Sequence, residues 1–279
     1  MSERLRYPAG VPCWVETLQP DVDAALDFYG SLFGWTFVGN DPGAASRSDH
    51  YFVARVRGRD VAGVGSVSNE GGRSASAWIT HVCVARADEA ASRATNAGGT
   101  VREGPLDAMP AGRVAVLADP AGALICAWEP GSREGAQLVS EAQAWSLSVL
   151  RTDDQQGSRA FYGSVFGWES QDYALSSEVT LWRLPGYVGG RPRQPAPRDV
   201  VGLMTALGGP GSGGRKNAHW SVDFFVDDVG ATVSKAVQLG GRAIVPPSDT
   251  PGSRTALLAD PQGATFSVTA PADDDASRT

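Results

Sequence analysis

Lysine is almost missing from this chain: of its 279 residues only Lys216 and Lys235 are lysine, and arginine supplies nearly all the positive charge. With 31 acidic residues and a formal net charge of −7, no basic face is expected, and without one nucleic acid is not an expected partner. Cysteine is scarce and odd in number. Cys13, Cys83 and Cys126 show no Cys-x-x-Cys spacing, so neither a disulfide framework nor a cysteine zinc site is expected, and a reducing cytoplasm is the expected location. No apolar run approaches the roughly 20 residues a membrane span needs, and "MSERLRYPAG" has no apolar segment behind its charges, so no span and no export signal are expected. Catalytic signatures are also absent: there is no Gly-x-Ser-x-Gly elbow and no His-Glu-x-x-His. The stretch "GGPGSGG" lacks the lysine and the strand-to-helix setting of a phosphate loop and is expected to be a linker.

What is present is repetition. "FYGSLFGW" at 28–35 returns as "FYGSVFGW" at 161–168, and "LADPAGA" at 117–123 returns as "LADPQGA" at 258–264. With 42% apolar and 20% charged residues the composition is that of a globular protein. The length suits two domains of roughly 130 to 140 residues.

Periodicity gives each repeat the same order. Asp21 is the expected N-cap of a helix whose apolar stripe is Val22, Ala25, Leu26, Tyr29, Leu32 and Phe33, with Gly34 as its stop. "CWVETL" before it and "WTFV", "YFVARV" and "VAGVGSV" after it read as strands, the last two joined by the turn "RGRD". "WITHVCV", "DEAASRATNAGG" and "VAVLADPAGALICAWEP" repeat the order as strand, helix and two strands around an Asp-Pro-x-Gly turn. Four βαβββ units are therefore expected, at about 12–67, 77–130, 144–207 and 218–270, an α+β fold written as a two-unit domain twice. The expected domains are 1–135 and 136–279, with a long hairpin loop at "YVGGRPRQPAPRD" and a frayed polar tail at 271–279.

On these residues the chain resembles the vicinal oxygen chelate superfamily, which includes glyoxalase I, extradiol dioxygenases and the fosfomycin and bleomycin resistance proteins. "PCWVETLQPDVDAALDFYGSLFGW" and the segment from "HWSVDFFV" to "LADPQGATFSV" are similar to its two-domain glyoxalase-like members. The resemblance implies tandem glyoxalase-like domains with cupped mixed sheets. It does not imply one chemistry, since the superfamily hosts many. Counting from shared landmarks, the metal-ligand positions of metal-bearing relatives fall on Trp14, Ile79 and Cys126, and in the second half on Trp145, Ser221 and Ser267. None of these is a ligand set for a divalent ion, so no metal and no cofactor are expected.

Alternation along strands then nominates the cavity residues. If Trp14 faces inward, Glu16 does too, one pleat deeper; His81 follows from Ile79, and Leu124 and Trp128 from Cys126. Leu147 stands beside Trp145, Asp223 and Phe225 beside Ser221, and Thr265 and Thr269 beside Ser267. Glu16, His81 and Asp223 are the candidate catalytic groups; Trp14, Cys126, Trp128, Trp145, Ser221, Phe225 and Ser267 are the candidate binding residues. Each has a plainer reading as barrel filling, a strand acceptor or a satisfied core histidine. His50 and His219, beside loop signals, are expected to be solvated, and Cys83 and Cys126 to be inert buried thiols. Two arrangements stay open. Units pairing within a domain set Glu16 opposite His81, and units pairing across domains set it opposite Asp223 and leave His81 facing Leu147.

Two functions remain. One is a metal-independent enzyme of specialised metabolism, an isomerase, cyclase or lyase working on an aromatic or polycyclic small molecule by acid and base chemistry. The other is a binding protein that sequesters a planar compound by stacking. A metal-dependent glyoxalase or dioxygenase comes third. The protein is expected to be a monomer or a homodimer.

Overall fold

A computed structural model describes residues 6–39, 51–66, 76–173, 176–189, 198–208, 217–250 and 252–271. His50, most of the "GGPGSGG" linker, most of the 187–199 loop and the tail beyond 271 lie outside the described residues. Among the described residues, sixteen strands and four helices follow one another as four βαβββ modules. Module 1 holds β1 (Pro12–Gln19), α1 (Val22–Phe33), β2 (Thr36–Gly39), β3 (Tyr51–Val56) and β4 (Arg59–Ser66). Module 2 holds β5 (Ala77–Cys83), α2 (Ala87–Asn96), β6 (Thr100–Ala108), β7 (Gly112–Ala118) and β8 (Leu124–Pro130). Module 3 holds β9 (Ala144–Arg151), α3 (Gln155–Phe166), β10 (Glu169–Tyr173), β11 (Ser176–Arg183) and β12 (Val200–Thr205). Module 4 holds β13 (His219–Phe225), α4 (Val229–Gln238), β14 (Arg242–Thr250), β15 (Ser253–Ala259) and β16 (Thr265–Pro271). No helix among the described residues is long and apolar enough to cross a membrane.

Local chemistry explains the boundaries. The Asp21 carboxylate accepts from the Ala24 N–H at 3.0 Å, and Asp154 and Asp228 cap α3 and α4 in the same way. Gly34 and Gly167, both left-handed at φ 70° and 74°, end α1 and α3. Helix α2 has no cap of its own: the Glu129 carboxylate takes the Ala87 N–H at 2.8 Å instead. The buried stripe of α1 is Val22, Ala25, Phe28, Tyr29, Leu32 and Phe33. Phe28 is in it and Leu26, only half-buried, is not, because the stripe is centred on the aromatic pair rather than on the aliphatic run.

The strands form two eight-stranded mixed sheets, ordered β2-β3-β4-β1-β5-β8-β7-β6 and β10-β11-β12-β9-β13-β16-β15-β14. β1 runs parallel to β4 and β5 to β8. The compact units cut the chain differently. Unit 1 takes Met1–Val15, Ile79–Gln137 and Leu147–Val222; unit 2 takes Glu16–Trp78, Leu138–Ser146 and Asp223–Thr279. Modules 2 and 3 thus supply the bulk of unit 1, and modules 1 and 4 that of unit 2.

The repeated words are the centre of each unit. In unit 2, Tyr29 of "FYGS" donates to Asp260 of "LADPQGA" at 2.8 Å and accepts from Trp78 Nε1 at 2.9 Å. In unit 1, Tyr162 donates to Asp119 of "LADPAGA" at 3.0 Å and accepts from Trp220 Nε1 at 2.8 Å. Both tyrosines are fully buried, and burial, with the charge of the facing aspartate next, pushes their pKa values well up, so the hydroxyls stay protonated donors. Each aspartate also closes its Asp-Pro-x-Gly turn: Asp119 accepts from Ala123 N–H at 2.8 Å, and Asp260 from Ala264 N–H at 2.8 Å. Aromatic rings surround both relays, with Phe33, Trp35 and Phe224 in unit 2 and Phe166, Trp168 and Trp182 in unit 1. A buried hydroxyl that bridges an indole and a carboxylate satisfies both at once, which is why tyrosine, tryptophan and aspartate recur together.

Candidate functional site

β1 and β16 show which strand face is open. Cys13, Val15, Thr17 and Gln19 are fully buried, whereas Glu16 and Leu18 are only half-buried; Thr265, Ser267 and Thr269 alternate likewise with buried Phe266, Val268 and Ala270. Trp14 belongs to the open face by this alternation and is 4% exposed, so Glu16 is the more accessible of the two, not the deeper one. Of the seven binding candidates, Trp14, Cys126, Trp145 and Ser221 are buried, and Trp128, Phe225 and Ser267 half-buried.

In unit 1 the inherited ligand positions hold an indole, an aliphatic chain and a thiol. Cys126 packs with Ile79, Val116 and Val114 in an apolar cluster. An indole N–H can only donate, a hydrocarbon does neither, and one thiol in apolar surroundings cannot hold a divalent ion, so the residues do not fit the superfamily's metal. In the second half, an indole and two serine hydroxyls fit no better. The other thiols are inert: Cys83 is 4% exposed and its pKa is raised to about 11, chiefly by burial and then by Glu134, while Cys13, fully buried, is pushed well up by burial first and by its neighbouring cysteines next.

Unit 1 gathers flat groups. The Arg133 guanidinium lies over the Trp14 ring at 5.5 Å from its centroid. Trp128 Nε1 donates to the Arg133 carbonyl at 3.0 Å, which ties that residue's backbone to β8. His81, 3% exposed and in register with Cys126, presents its ring edge-on to Trp128 with centroids 6.1 Å apart. Gly112 gives Trp128 room, since a Cβ there would come within 2.6 Å of the indole. Ser221 is turned to its own sheet, donating to the Val149 carbonyl at 3.2 Å. His219 is 9% exposed and tied at Nδ1 to the Asn217 carbonyl at 2.8 Å, so the expectation of a solvated side chain fails; β13 begins at His219 and buries it.

Unit 2 holds both candidate carboxylates. Tyr51 donates to Glu16 Oε2 at 2.7 Å. Asp223, 9% exposed, accepts from Ser146 at 2.6 Å on one oxygen and from Thr269 at 2.7 Å on the other. Each carboxylate therefore has its own hydroxyls. Trp145 and Phe225 are framed by the 140–143 turn, whose Ser140 N–H and Gln143 N–H reach their carbonyls at 2.7 Å each. Ser267 is in register with Asp223.

Sequence reasoning did not nominate Tyr51, Ser146 or Arg133. Tyr51 reaches Glu16 from two strands away, a distance alternation does not measure. Strand alternation from Trp145 turns Ser146 away, and Arg133 comes from the connector after β8, outside any periodic element. The readable signal was the pair of glycines in "VAGVGSV", a strand motif that marks close approach of another group.

Comparison with known proteins places these residues in a family. A model of the glyoxalase-like domain matches the chain twice, over residues 14–128 and 147–269. The chain is 36% identical over 274 residues to the anthracycline biosynthesis protein DnrV of Streptomyces peucetius, covering 94% of each. It is 34% identical over 280 residues to CFP32 of Mycobacterium bovis, provisionally named a glyoxylase, covering 98% of this chain and 99% of that one. Among solved structures, the Mn(II)-bound glyoxalase from Novosphingobium aromaticivorans matches with a TM-score of 0.62 at 17% identity, over 94% of this chain and 82% of that one, a likeness of fold alone.

Proposed function

The chain belongs to the glyoxalase-like domain family, within the vicinal oxygen chelate superfamily, and we propose on that premise that it acts in specialised metabolism on a planar polycyclic aromatic small molecule, by acid and base chemistry without a resident metal. Relationship to an anthracycline biosynthesis protein over 94% of the chain supports the substrate class. The two domains are taken as 1–135 and 136–279. Glu16 is the proposed base. It removes a proton from a C–H or O–H made acidic by a ring carbonyl, and return of that proton elsewhere on the same molecule completes an isomerisation or ring closure with no net loss or gain of atoms. The observation that carries the reading is the half-buried Glu16 carboxylate on an open strand face, held by a phenol hydroxyl at 2.7 Å, an ionisable group that a ligand lying on that face can reach. In unit 2 Asp223 is a further candidate proton-handling group; in unit 1, taken by itself, His81 is one, and Trp14 and Trp128 are proposed to bind flat rings there.

A second reading, sequestration without turnover, is favoured by one observation: Trp14 already takes a flat group, the Arg133 guanidinium, on its face. One experiment separates the two. Purified protein is incubated with hydroxylated anthraquinones and followed by mass-resolved chromatography and tryptophan fluorescence. Conversion that is lost in Glu16→Gln, with quenching retained, supports the enzyme. Stoichiometric quenching without conversion supports sequestration, and neither signal refutes both.

A further inference from the structure

We propose that Tyr51 is a positioning residue for Glu16, admitted by Gly63 and Gly65, so that the proton-handling unit is a phenol–carboxylate pair built across three strands. The reaction it serves rests on the function proposed above; the pairing itself does not.

β4 lies between β3 and β1. On β4, Gly63 stands opposite Glu16 of β1, and Gly65 stands opposite both Tyr51 of β3 and Leu18 of β1. A side chain normally touches its neighbour on the next strand. Tyr51 instead crosses the whole of β4 and delivers its hydroxyl to Glu16 Oε2 at 2.7 Å. The ring can do so only over bare backbone. A Cβ at Gly63 would overlap the Tyr51 hydroxyl and approach Glu16 Cβ at 3.0 Å; one at Gly65 would come within 3.0 Å of Tyr51 Cδ2. Glycine inside a strand weakens it and leaves no side chain to pack. Two at alternate positions of one face make a trough, and the phenol lies in it.

The second copy serves as a natural control. Val179 of β11 pairs with Thr205 of β12, and Thr205 with Arg151 of β9, as Tyr51 pairs with Gly65 and Gly65 with Leu18, and the register shift that follows Ala54 in one copy and Trp182 in the other fixes the match. At this register Glu16, Tyr51, Gly63 and Gly65 correspond to Val149, Val179, Leu203 and Thr205. All four positions change together, from a polar pair on glycines to two valines beside Leu203 and Thr205. Four coupled replacements mark one device, absent as a whole from the repeat. Its physical effect is orientation. A glutamate has three rotatable bonds, and a hydroxyl fixed in a trough holds one oxygen, so the other is presented in one direction.

The test uses the full chain and needs no substrate for its first part. In protein carrying 13C-labelled glutamate, the Glu16 carboxylate infrared band is identified by its loss in Glu16→Gln. Tyr51→Phe and Gly63→Ala should displace that band in the same sense, Gly65→Ala serving if Gly63→Ala fails to fold, while Gly208→Ala leaves it in place. An unmoved band in Tyr51→Phe overturns the pairing, and one that moves in Tyr51→Phe but in neither glycine variant overturns the trough. In the second part, with a hydroxylated anthraquinone that the wild type converts, Tyr51→Phe should lower kcat by about 10- to 100-fold while the probe's Kd, read by tryptophan quenching, stays within about twofold. Unchanged kcat beside a displaced band overturns positioning. A wild type that converts nothing defeats the proposed function instead, and the infrared result still decides the pair.

Discussion

Replacing Tyr162 by phenylalanine removes one oxygen from the centre of unit 1. That oxygen makes two hydrogen bonds, from Trp220 Nε1 at 2.8 Å and to Asp119 Oδ2 at 3.0 Å, with Tyr162 0% and Trp220 5% exposed. The stranded indole N–H costs about 1 to 3 kcal/mol, and loss of a hydrogen bond to a carboxylate about 1.5 to 3 kcal/mol. Burial already disfavours the charged form of Asp119, so the lower part of the second range applies and the sum is about 3 kcal/mol. For a cooperative block of this size, about 2 to 4 °C per kcal/mol gives a fall in Tm of about 6 to 12 °C, readable by scanning calorimetry. Tyr29→Phe should cost less, because Gln19 Nε2 donates to the same Asp260 oxygen at 2.8 Å and stays behind. In a double-mutant cycle, Tyr162→Phe with Trp220→Phe should lose less than the sum of the single changes, since no donor is then left stranded. A fall under about 2 °C for Tyr162→Phe, or strict additivity, would refute the view that the repeated words are structural relays.

Asp119→Asn should show a pH signature. The folded carboxyl of Asp119 is raised above its ordinary value by burial, so its contribution to stability is complete below the unfolded pKa and is lost as pH rises through the folded one. The stability gap between wild type and variant in urea titrations should therefore be smaller at pH 7 than at pH 4, and a larger gap at pH 7 would contradict it. Trp14→Ala should weaken binding of a planar anthraquinone by about 1 to 3 kcal/mol in fluorescence titration; unchanged affinity in both Trp14→Ala and Trp145→Ala, with the fold intact, would return these rings to packing. Elemental analysis of protein purified without chelator should find well under one equivalent of Mn, Fe, Ni or Zn, and a tightly held equivalent would reverse the reading of Trp14, Ile79 and Cys126.

The modular plan was legible because its words repeat and because caps such as Asp21 and stops such as Gly34 act over a few residues. Leu26 was misjudged by a fraction of a helical turn, where Phe28 offers more area to the core. His219 was misjudged because a loop signal two residues away says nothing about what a strand start buries. The candidate site was legible only along strands. Alternation nominates Glu16 from Trp14, but what holds Glu16 depends on which strands lie side by side and on the emptiness of the one between, as Tyr51 and Gly63 show. Ser146 and Arg133 depend on local geometry at a strand start and in a connector, which no period describes.

The trough under Tyr51 also constrains how the two copies could have parted. Placing a glutamate at Val149 alone would set a carboxylate against Leu203, and placing a tyrosine at Val179 alone would drive its ring into Thr205 and Leu203. Conversely, losing Tyr51 first would leave Glu16 without the hydroxyl that holds it. Single exchanges in either direction thus pass through a worse protein, and only opening the glycines first gives a tolerable route. Such ordering acts as a ratchet: once one half had specialised, drift or recombination between the halves could not easily make them alike again, although the relays at Tyr29 and Tyr162 keep the same tyrosine, tryptophan and aspartate.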